Sequence, residues 1–594
     1  MSEIKQDNRI KQSLNLSDVQ GNVIRAYGRY GYPFARYFFF NISPKAQANE
    51  EVRLLARYFV DKVRREVTTG APWPRVKQNG KKTTFKPTHT MNIAFTFHGL
   101  LKLGLPYRTM QGFPFEFSEG MRARAYILGD RDQTITDTEA NTREWNDEWD
   151  EIWKENRINS DLTKSVDIWV SVNSQIIQGT TDPVPELEET SQRLQKWALE
   201  SRDSVRLLKG HGDGCSVPYQ EASAVFGRYR NEEEEVLLPS PKEHFGFTDG
   251  IGDPVFEGQY PDDVMPSKVI GRGKFMPSSI GQNPEWLPLA TGEFLLGHPD
   301  ESQELPPTGM PVELMRNGTF MAYRKLHQNV QSFREVVREE AESYAKVVGI
   351  ELFEAIETIY AKMCGRWRDG VPLSVVPTYN EWEKYGIENN LHPEDKGALD
   401  TVENLRAQIS YIRSEKANNF RFGDDSSGFK CPVGSHLRRV NTRDYLAPKN
   451  KFGVDDEGKQ YENPKANAAL NKRRRILRRG LPYGDPINPD KSDETQQGVI
   501  MIIMGASLSR QFEFVQQQWI QYGLDFNQGN NTCPMLGDHD THKRFTITED
   551  PKTGKPPYVM SKLKTFVEFR GGDYFFVPSM TALRMIATGI VDPT

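Results

Sequence analysis

Short runs that alternate apolar and polar residues recur along this chain, each followed by an amphipathic stretch, and that rhythm limits what it can fold into. In MNIAFTF, Met91, Ile93, Phe95 and Phe97 alternate with smaller or polar partners, and in DIWVSVN, Ile168, Val170 and Val172 do the same. A period of two puts the apolar residues on one face, so both read as half-buried strands. An aromatic strand over Ala35 to Asn41, helices over Ala46 to Glu66 and Thr190 to Ser201, and the short helix HGLLKLGLP, stopped by Gly104 and Pro106, complete a compact α+β unit. The second half repeats the pattern. A strand starting at Thr319 precedes a helix whose Phe333, Val336, Val337, Tyr344, Val347 and Val348 share one face. VIMIIM (Val499 to Met504) is a short, continuous apolar run that fits a fully buried strand. RQFEFVQQQWIQYG reads as a helix, and TFVEFRGG and YFFVPSM as further strands. Two related α+β halves are the economical reading.

At 594 residues the chain exceeds one ordinary core. The expected division is a disordered tail over 1–13, an N-terminal domain over 14–240, a linking insertion over 241–317 and a C-terminal domain over 318–594. NEEEEV (Asn231 to Val236) reads as a solvated acidic loop, and 371–422 as a polar insertion. The formal net charge of -5 argues against a general nucleic-acid binder. No run of about 18 apolar residues predicts a membrane span. The polar start, MSEIKQDNRIKQS, lacks the apolar region of a secretory signal. Cys215, Cys364, Cys431 and Cys533 show no C-x-x-C spacing. A reduced, cytoplasmic setting is the expectation.

Two stretches carry chemistry. HFGFTDGIGDPVFEG sets Asp249 and Asp253 beside glycines, in a segment too rich in glycine for a helix. Gly423 to Gly480 sets His436 among Arg438, Arg439 and Arg443, and ends in a basic cluster from Arg473 to Arg479. A neutral imidazole is a common ligand of iron, and guanidinium groups suit carboxylates. Taken alone, the second stretch is also what a solvated basic loop carrying a histidine would look like.

The ordered set separates these readings. Gly-x-x-Asp-Gly at Gly246 to Gly250, then DDSSGFKCPVGSHLRR, then RILRRG, an apolar strand and QFEFVQQQW resemble the dye-decolourising peroxidases, in particular their larger, insertion-bearing members. DVQGNVIRAYG, GEFLLGHPDE, RNGTFMAYRKLHQNV and GGDYFFVP extend the resemblance over roughly residues 15 to 580. It implies two ferredoxin-like halves with antiparallel sheets and peripheral helices, dimeric α+β barrel-like, with haem b mainly in the C-terminal half. By this resemblance His436 matches the axial iron ligand, Asp249 the distal aspartate and Arg478 the distal arginine, with Arg479 the alternative register. Arg443 is expected at a haem propionate, and Val499 and Met501 over the distal face, where ordinary core positions are an equal reading. NTRD stands where NPRD is common in the family, and a polar insert, YLAPKNKFGVDDEGKQYENPKANAAL, lengthens the interval from His436 to Arg478.

The implied activity is reduction of hydrogen peroxide coupled to oxidation of dyes, phenols or other small or bulky aromatic reductants. The alternative is a haem-binding or iron-handling protein with incidental peroxidase activity. A free aspartate has a pKa of about 3.9, so Asp249 stays ionised in mild acid, where a histidine base would be protonated; an acidic optimum follows. Arg478 would hold fixed positive charge beside peroxide. Asp525, Asp538 and Asp540 are the candidates to accept from the far nitrogen of His436. With 22 Tyr and 10 Trp, no surface radical site stands out. Neither a nucleic-acid nor a membrane partner is expected, and a homo-oligomer is allowed.

Overall fold

A computed structural model of the protein describes residues 14–591 except 29–30, 79–80, 131–148, 155–161, 213–216, 233, 277–284, 396–397, 446–451, 455–459, 463–469, 489–491, 530, 540–542, 550–553 and 555. The expected tail over 1–13 lies outside the described residues.

The first half supplies strands β1 (Phe34–Ile42), β2 (His89–Phe95), β3 (Ile168–Ser174), β4 (Val205–Leu207) and β5 (Gln220–Ser223), with helices α1 (Glu50–Arg64) and α2 (Glu186–Glu200). From the second half come β6 (Thr319–Gln328), α3 (Val330–Val348), α4 (Leu352–Cys364), the short helix α5 (His436–Val440), β7 (Leu477–Tyr483), β8 (Gly498–Gly505), β9 (Val567–Val577) and α6 (Met580–Thr588). All of these strands join one antiparallel sheet in the order β7-β8-β6-β9-β2-β3-β1-β4, with β5 also pairing β1. The halves meet where Phe576 of β9 pairs with Phe95 of β2.

The sheet curls until its ends approach, which makes it barrel-like. Phe39 of β1 packs edge-on against Tyr323 of β6 at 5.2 Å, although three strands separate them in the sheet order. β7, at one end, packs against β5 near the other. Closure explains one difference from expectation. β2 and β3 alternate as expected, but both faces are buried apart from His89. One face lies under helices, with Phe40 of β1 on Phe59 of α1 at 4.8 Å. The other faces inward, where Asn92 donates to Gln20 Oε1 and to the Thr68 carbonyl, so its burial costs no unpaired amide nitrogen.

Four further expectations change. The described part of NEEEEV is not a free loop: it belongs to a hairpin of Phe226–Asn231 with Glu234–Pro239, with Glu232, Glu234 and Glu235 exposed. Residues 371–422 form helices Tyr379–Glu388 and Val402–Arg413 around a small core of Val371, Leu373, Tyr379, Leu391 and Ile412. Its sparse apolar residues are spread among charges, so composition hides the core. On α3, Val347 is 70% exposed, because Val348 rather than Val347 continues the face that packs on the core. RQFEFVQQQWIQYG is helical but wound in wide i→i+5 turns, over Leu508–Glu513 and Val515–Ile520. Such turns are uncommon and gather at functional sites. Among the described residues, no helix is long and apolar enough to cross a membrane.

Candidate active site

The aspartate loop is built by a buried carboxylate. Glu243 accepts from the backbone N–H groups of Phe245 and Phe247, both at 2.9 Å, and from Gln328 Nε2 at 2.6 Å. Phe245 and Phe247 then bury their rings against Phe333. Thr248 is pinned by its N–H and hydroxyl to the Arg368 carbonyl. Gly246 and Gly250 take φ of 95° and 80°, values that glycine adopts at least cost, and Asp249 is thereby projected into a cavity.

β7 meets it there. Residues opposite one another on antiparallel strands share a face, and Arg478 stands opposite Ile503, Gly480 opposite Met501 and Pro482 opposite Val499. Arg478, Ile503, Met501 and Val499 all line the cavity. Arg478 Nη1 donates to Asp249 Oδ2 at 3.0 Å, and its Nη2 closes on Oδ1. Arg479 faces the other way, opposite Ile502. It donates to the carbonyls of Asn22 (2.6 Å) and Val23 (3.0 Å) and pairs with Asp253 at 2.8 Å. Met501 is thus both core and cavity wall and Val499 a half-buried part of that wall, the other side of their strand being filled by Ile500 and Met504.

His436 is the first residue of α5 and lines the same cavity. Its neighbouring arginines are braces. Arg438, wholly buried, pairs with Asp425 at 2.6 Å and lies over Phe422 and Tyr445. Arg439 donates to the carbonyls of Gly434, Trp519, Tyr522 and Asn531 and ties α5 to the wide-turned helix. Among the described residues, the partner of His436 is not one of the candidate carboxylates. His436 Nδ1 lies 3.4 Å from Cys533 Sγ. Asp525 instead accepts from Trp519 Nε1 at 2.9 Å, Asp538 gives its backbone N–H to Gln521 Oε1, and Asp540 lies outside the described residues. Burial raises the Cys533 thiol, but the His436 imidazole, its hydrogen bond and Arg439 outweigh it and hold the thiol below its ordinary value.

Arg443 is not part of the cavity lining. It is buried, donates to the Asn418 and Phe420 carbonyls and stacks on Phe420 at 3.7 Å. Its charge belongs to a cluster that sequence reasoning missed. Arg366 and Arg475 line the cavity, are each 5% exposed, and both depress Arg443. Burial pushes all three guanidinium groups down, Arg475 to about 10 with help from Arg272. Arg443 Nε and Nη2 and Arg366 Nη2 are buried without partners. Buried cations with idle donors call for an anion, since each unpaired donor is costly. Arg366 lies in AKMCGRWRDG, just past the end of α4, and nothing in that segment alone shows that it faces the cavity.

These features fit haem. A ligand nitrogen is offered by His436, two buried carboxylates would satisfy the Arg366–Arg443–Arg475 cluster, and the walls between are apolar, including Val515, Ile520, Met535 and Leu536. Among the described residues no group of three or more His, Cys, Asp or Glu could hold a bare metal ion. Past Asp249 and Arg478 the cavity joins an outer cleft of about 470 Å³ that holds Arg25, Tyr27, Tyr32 and Trp73.

Comparison with known proteins shows what the chain is similar to. The family model for the DyP dimeric alpha+beta barrel domain matches residues 18–191. Dye-decolorizing peroxidase msp1 of Mycetinis scorodonius is 23% identical over 364 residues, 58% of this chain and 56% of that protein. The multifunctional dye peroxidase DyP2 of Amycolatopsis sp. is 25% identical over 366 residues, 58% of this chain and 61% of that protein. The chain therefore matches somewhat over half the length of these curated relatives. Solved structures match further. A dye-decolorizing peroxidase in complex with 2,6-dimethoxyphenol superposes with a TM-score of 0.61 at 19% identity, covering 97% of this chain and 100% of that one. A mutant of the dye-decolorizing peroxidase from Pleurotus ostreatus gives 0.63 at 19% identity, covering 97% and 99%. A third, described by engineering of its heme pocket, gives 0.60 at 17% identity, covering 97% and 100%. The chain is similar to the dye-decolourising peroxidases over somewhat more than half its length and has their fold.

Proposed function

We propose that the protein is a haem peroxidase that reduces hydrogen peroxide and oxidises dyes, phenols or similar aromatic reductants. The observation that carries this reading is a single cavity with His436 on one wall and the Asp249–Arg478 pair on another. Haem b, when bound, would supply the redox-active iron through which peroxide accepts two electrons. His436 would hold it by Nε2, and Arg366 and Arg475, which line the cavity, would meet its carboxylates, with Arg443 adding positive charge behind them.

Peroxide cleavage to water needs a proton removed from one oxygen and delivered to the other. Asp249 would carry it: a carboxylate is a base weak enough to return the proton it takes. Arg478, already donating to Asp249, holds that carboxylate in place and presents a fixed cation where negative charge develops on the departing oxygen. Val499, Met501 and Ile503 narrow this end and limit water. The two electrons and two protons that peroxide takes up are supplied in the end by the reductant, one of each from each of two phenol-like molecules. The outer cleft, with Tyr27, Tyr32 and Trp73 in its wall, offers small aromatic reductants a way in. Cys364, Cys431 and Cys533 are free thiols, in keeping with work in a reducing, cytoplasmic compartment.

The test is the absorption spectrum of haem-reconstituted protein before and after one equivalent of hydrogen peroxide, for wild type and His436→Ala. A Soret band that shifts with peroxide in wild type, and loss of stable ligation in the variant, are expected. Absence of haem binding would overturn the proposal. Haem bound but inert to peroxide would favour carriage of haem or iron instead.

A further inference from the structure

Among the described residues, the hydrogen bond of His436 Nδ1 goes to sulfur and not to a carboxylate. The sulfur is rigidly held. Cys533 is fully buried, its N–H donates to the Ile520 carbonyl at 2.8 Å, and its own carbonyl accepts from Gly537 N–H at 3.0 Å. His539 Nε2 lies 3.1 Å from that same carbonyl. Arg439 grips the flanking backbone at Trp519 and Asn531. Sequence spacing gives no hint of the pairing, because 97 residues separate Cys533 from His436.

A neutral imidazole that binds iron through Nε2 carries its proton on Nδ1, so Nδ1 must donate and the sulfur must accept. The strength of that acceptor sets how much electron density the ring passes on, and thiol sulfur accepts weakly compared with a carboxylate. We propose that Cys533 is the positioning residue of His436: its sulfur fixes the Nδ1–H tautomer and the ring plane, and it leaves the iron with a higher ferric/ferrous potential than an aspartate there would. The inference rests on the haem reading above.

The experiment uses full-length protein reconstituted with haem, as wild type, Cys533→Ala, Cys533→Ser and Cys533→Asp. It reads the ferric/ferrous midpoint potential and the iron–histidine stretch of the ferrous form by resonance Raman. Removal of the acceptor in Cys533→Ala raises the potential and lowers the stretch. Cys533→Asp moves both in the opposite direction, and Cys533→Ser, which keeps an acceptor in similar volume, stays on the wild-type side of Ala. Opposite signs for Ala and Asp are what loosened packing alone would not produce. Haem bound through His436 with both quantities unmoved across the series, or moved the same way by Ala and Asp, overturns the inference and leaves the peroxidase reading intact. If Cys533→Ala does not fold, the Ser and Asp variants decide it by the same sign rule. Wild-type protein that takes up no haem brings down both.

Discussion

Arg478 and Arg479 are neighbours on β7 and face opposite sides of it: the first closes on Asp249 in the cavity, the second on the carbonyls of Asn22 and Val23. Their substitutions should therefore separate chemistry from stability. Arg478→Gln is expected to slow reaction with peroxide by roughly 10²–10³-fold, the scale of losing one preorganised donor, with little change in melting. Arg479→Gln leaves buried carbonyls and Asp253 unsatisfied and should cost on the order of 2–4 kcal/mol. Stopped-flow mixing with peroxide and thermal unfolding of both variants check the pair. An Arg479 variant that melts like wild type and loses peroxide reactivity would reverse the assignment.

Asp249→Asn keeps the size of the side chain and removes the base. The expected loss in peroxide reactivity is about 10²–10⁴-fold where the wild-type carboxylate is ionised, narrowing in stronger acid, with the haem spectrum retained. The wild-type profile should extend into mild acid, because a carboxylate remains ionised where a histidine would not. A pH–rate profile of both proteins measures this.

The Arg366–Arg443–Arg475 cluster predicts a binding defect. Arg366→Gln removes one of the cavity-lining cations that would meet the haem carboxylates, a charge-assisted contact of about 1.5–3 kcal/mol, so haem affinity should fall about 10- to 100-fold. Haem transfer to a competing apoprotein gives the ratio. Equal affinity would place the carboxylates elsewhere.

His211 predicts a pH dependence of stability. It packs on Phe39 at 5.4 Å, and burial, with Lys325 adding to it, lowers its pKa from the ordinary 6.5 to about 3. The unfolded chain takes up a proton below about 6.5 that the folded protein refuses. Stability from this residue is thus complete above 6.5 and is lost as pH falls toward 3, with a slope of about 1.4 kcal/mol per pH unit. His211→Gln should flatten the fall of the melting temperature between pH 6 and 4.

Gly480 holds β7 at φ of 121°, and a Cβ there would lie 1.8 Å from the Ile500 carbonyl oxygen. Gly480→Ala must push β7 off β8, and it should destabilise by more than about 3 kcal/mol while displacing Arg478. Thermal unfolding shows the first effect and peroxide reactivity the second.

Most strands and the long helices were legible because their periods are local properties. Met91, Ile93 and Phe95 alternate whatever packs above them, and the apolar run Val499 to Met504 has nowhere to go but a buried strand. What lay on the second face of β2 and β3 was not legible, since that depends on a sheet closing over residues hundreds of positions away. The core within 371–422 was hidden for a related reason: its apolar residues are scattered among charges and converge only in space.

The candidate site divides along the same line. The sequence by itself determined which groups are present: an aspartate in a glycine-bounded turn, a histidine after a short glycine-rich loop, and paired arginines before a glycine. Only the tertiary structure decided which of Arg478 and Arg479 turns inward. Alternation along a strand assigns them to opposite faces, and the packing of β8 and the Asp249 loop assigns the face. Only the tertiary structure, too, put Cys533 rather than Asp525 or Asp538 behind His436, and gathered Arg366, Arg443 and Arg475 into one buried cluster. Hydrogen bonds and Coulomb forces act over a few ångströms, and the residues that share them here come from segments that only the closed, packed fold makes neighbours.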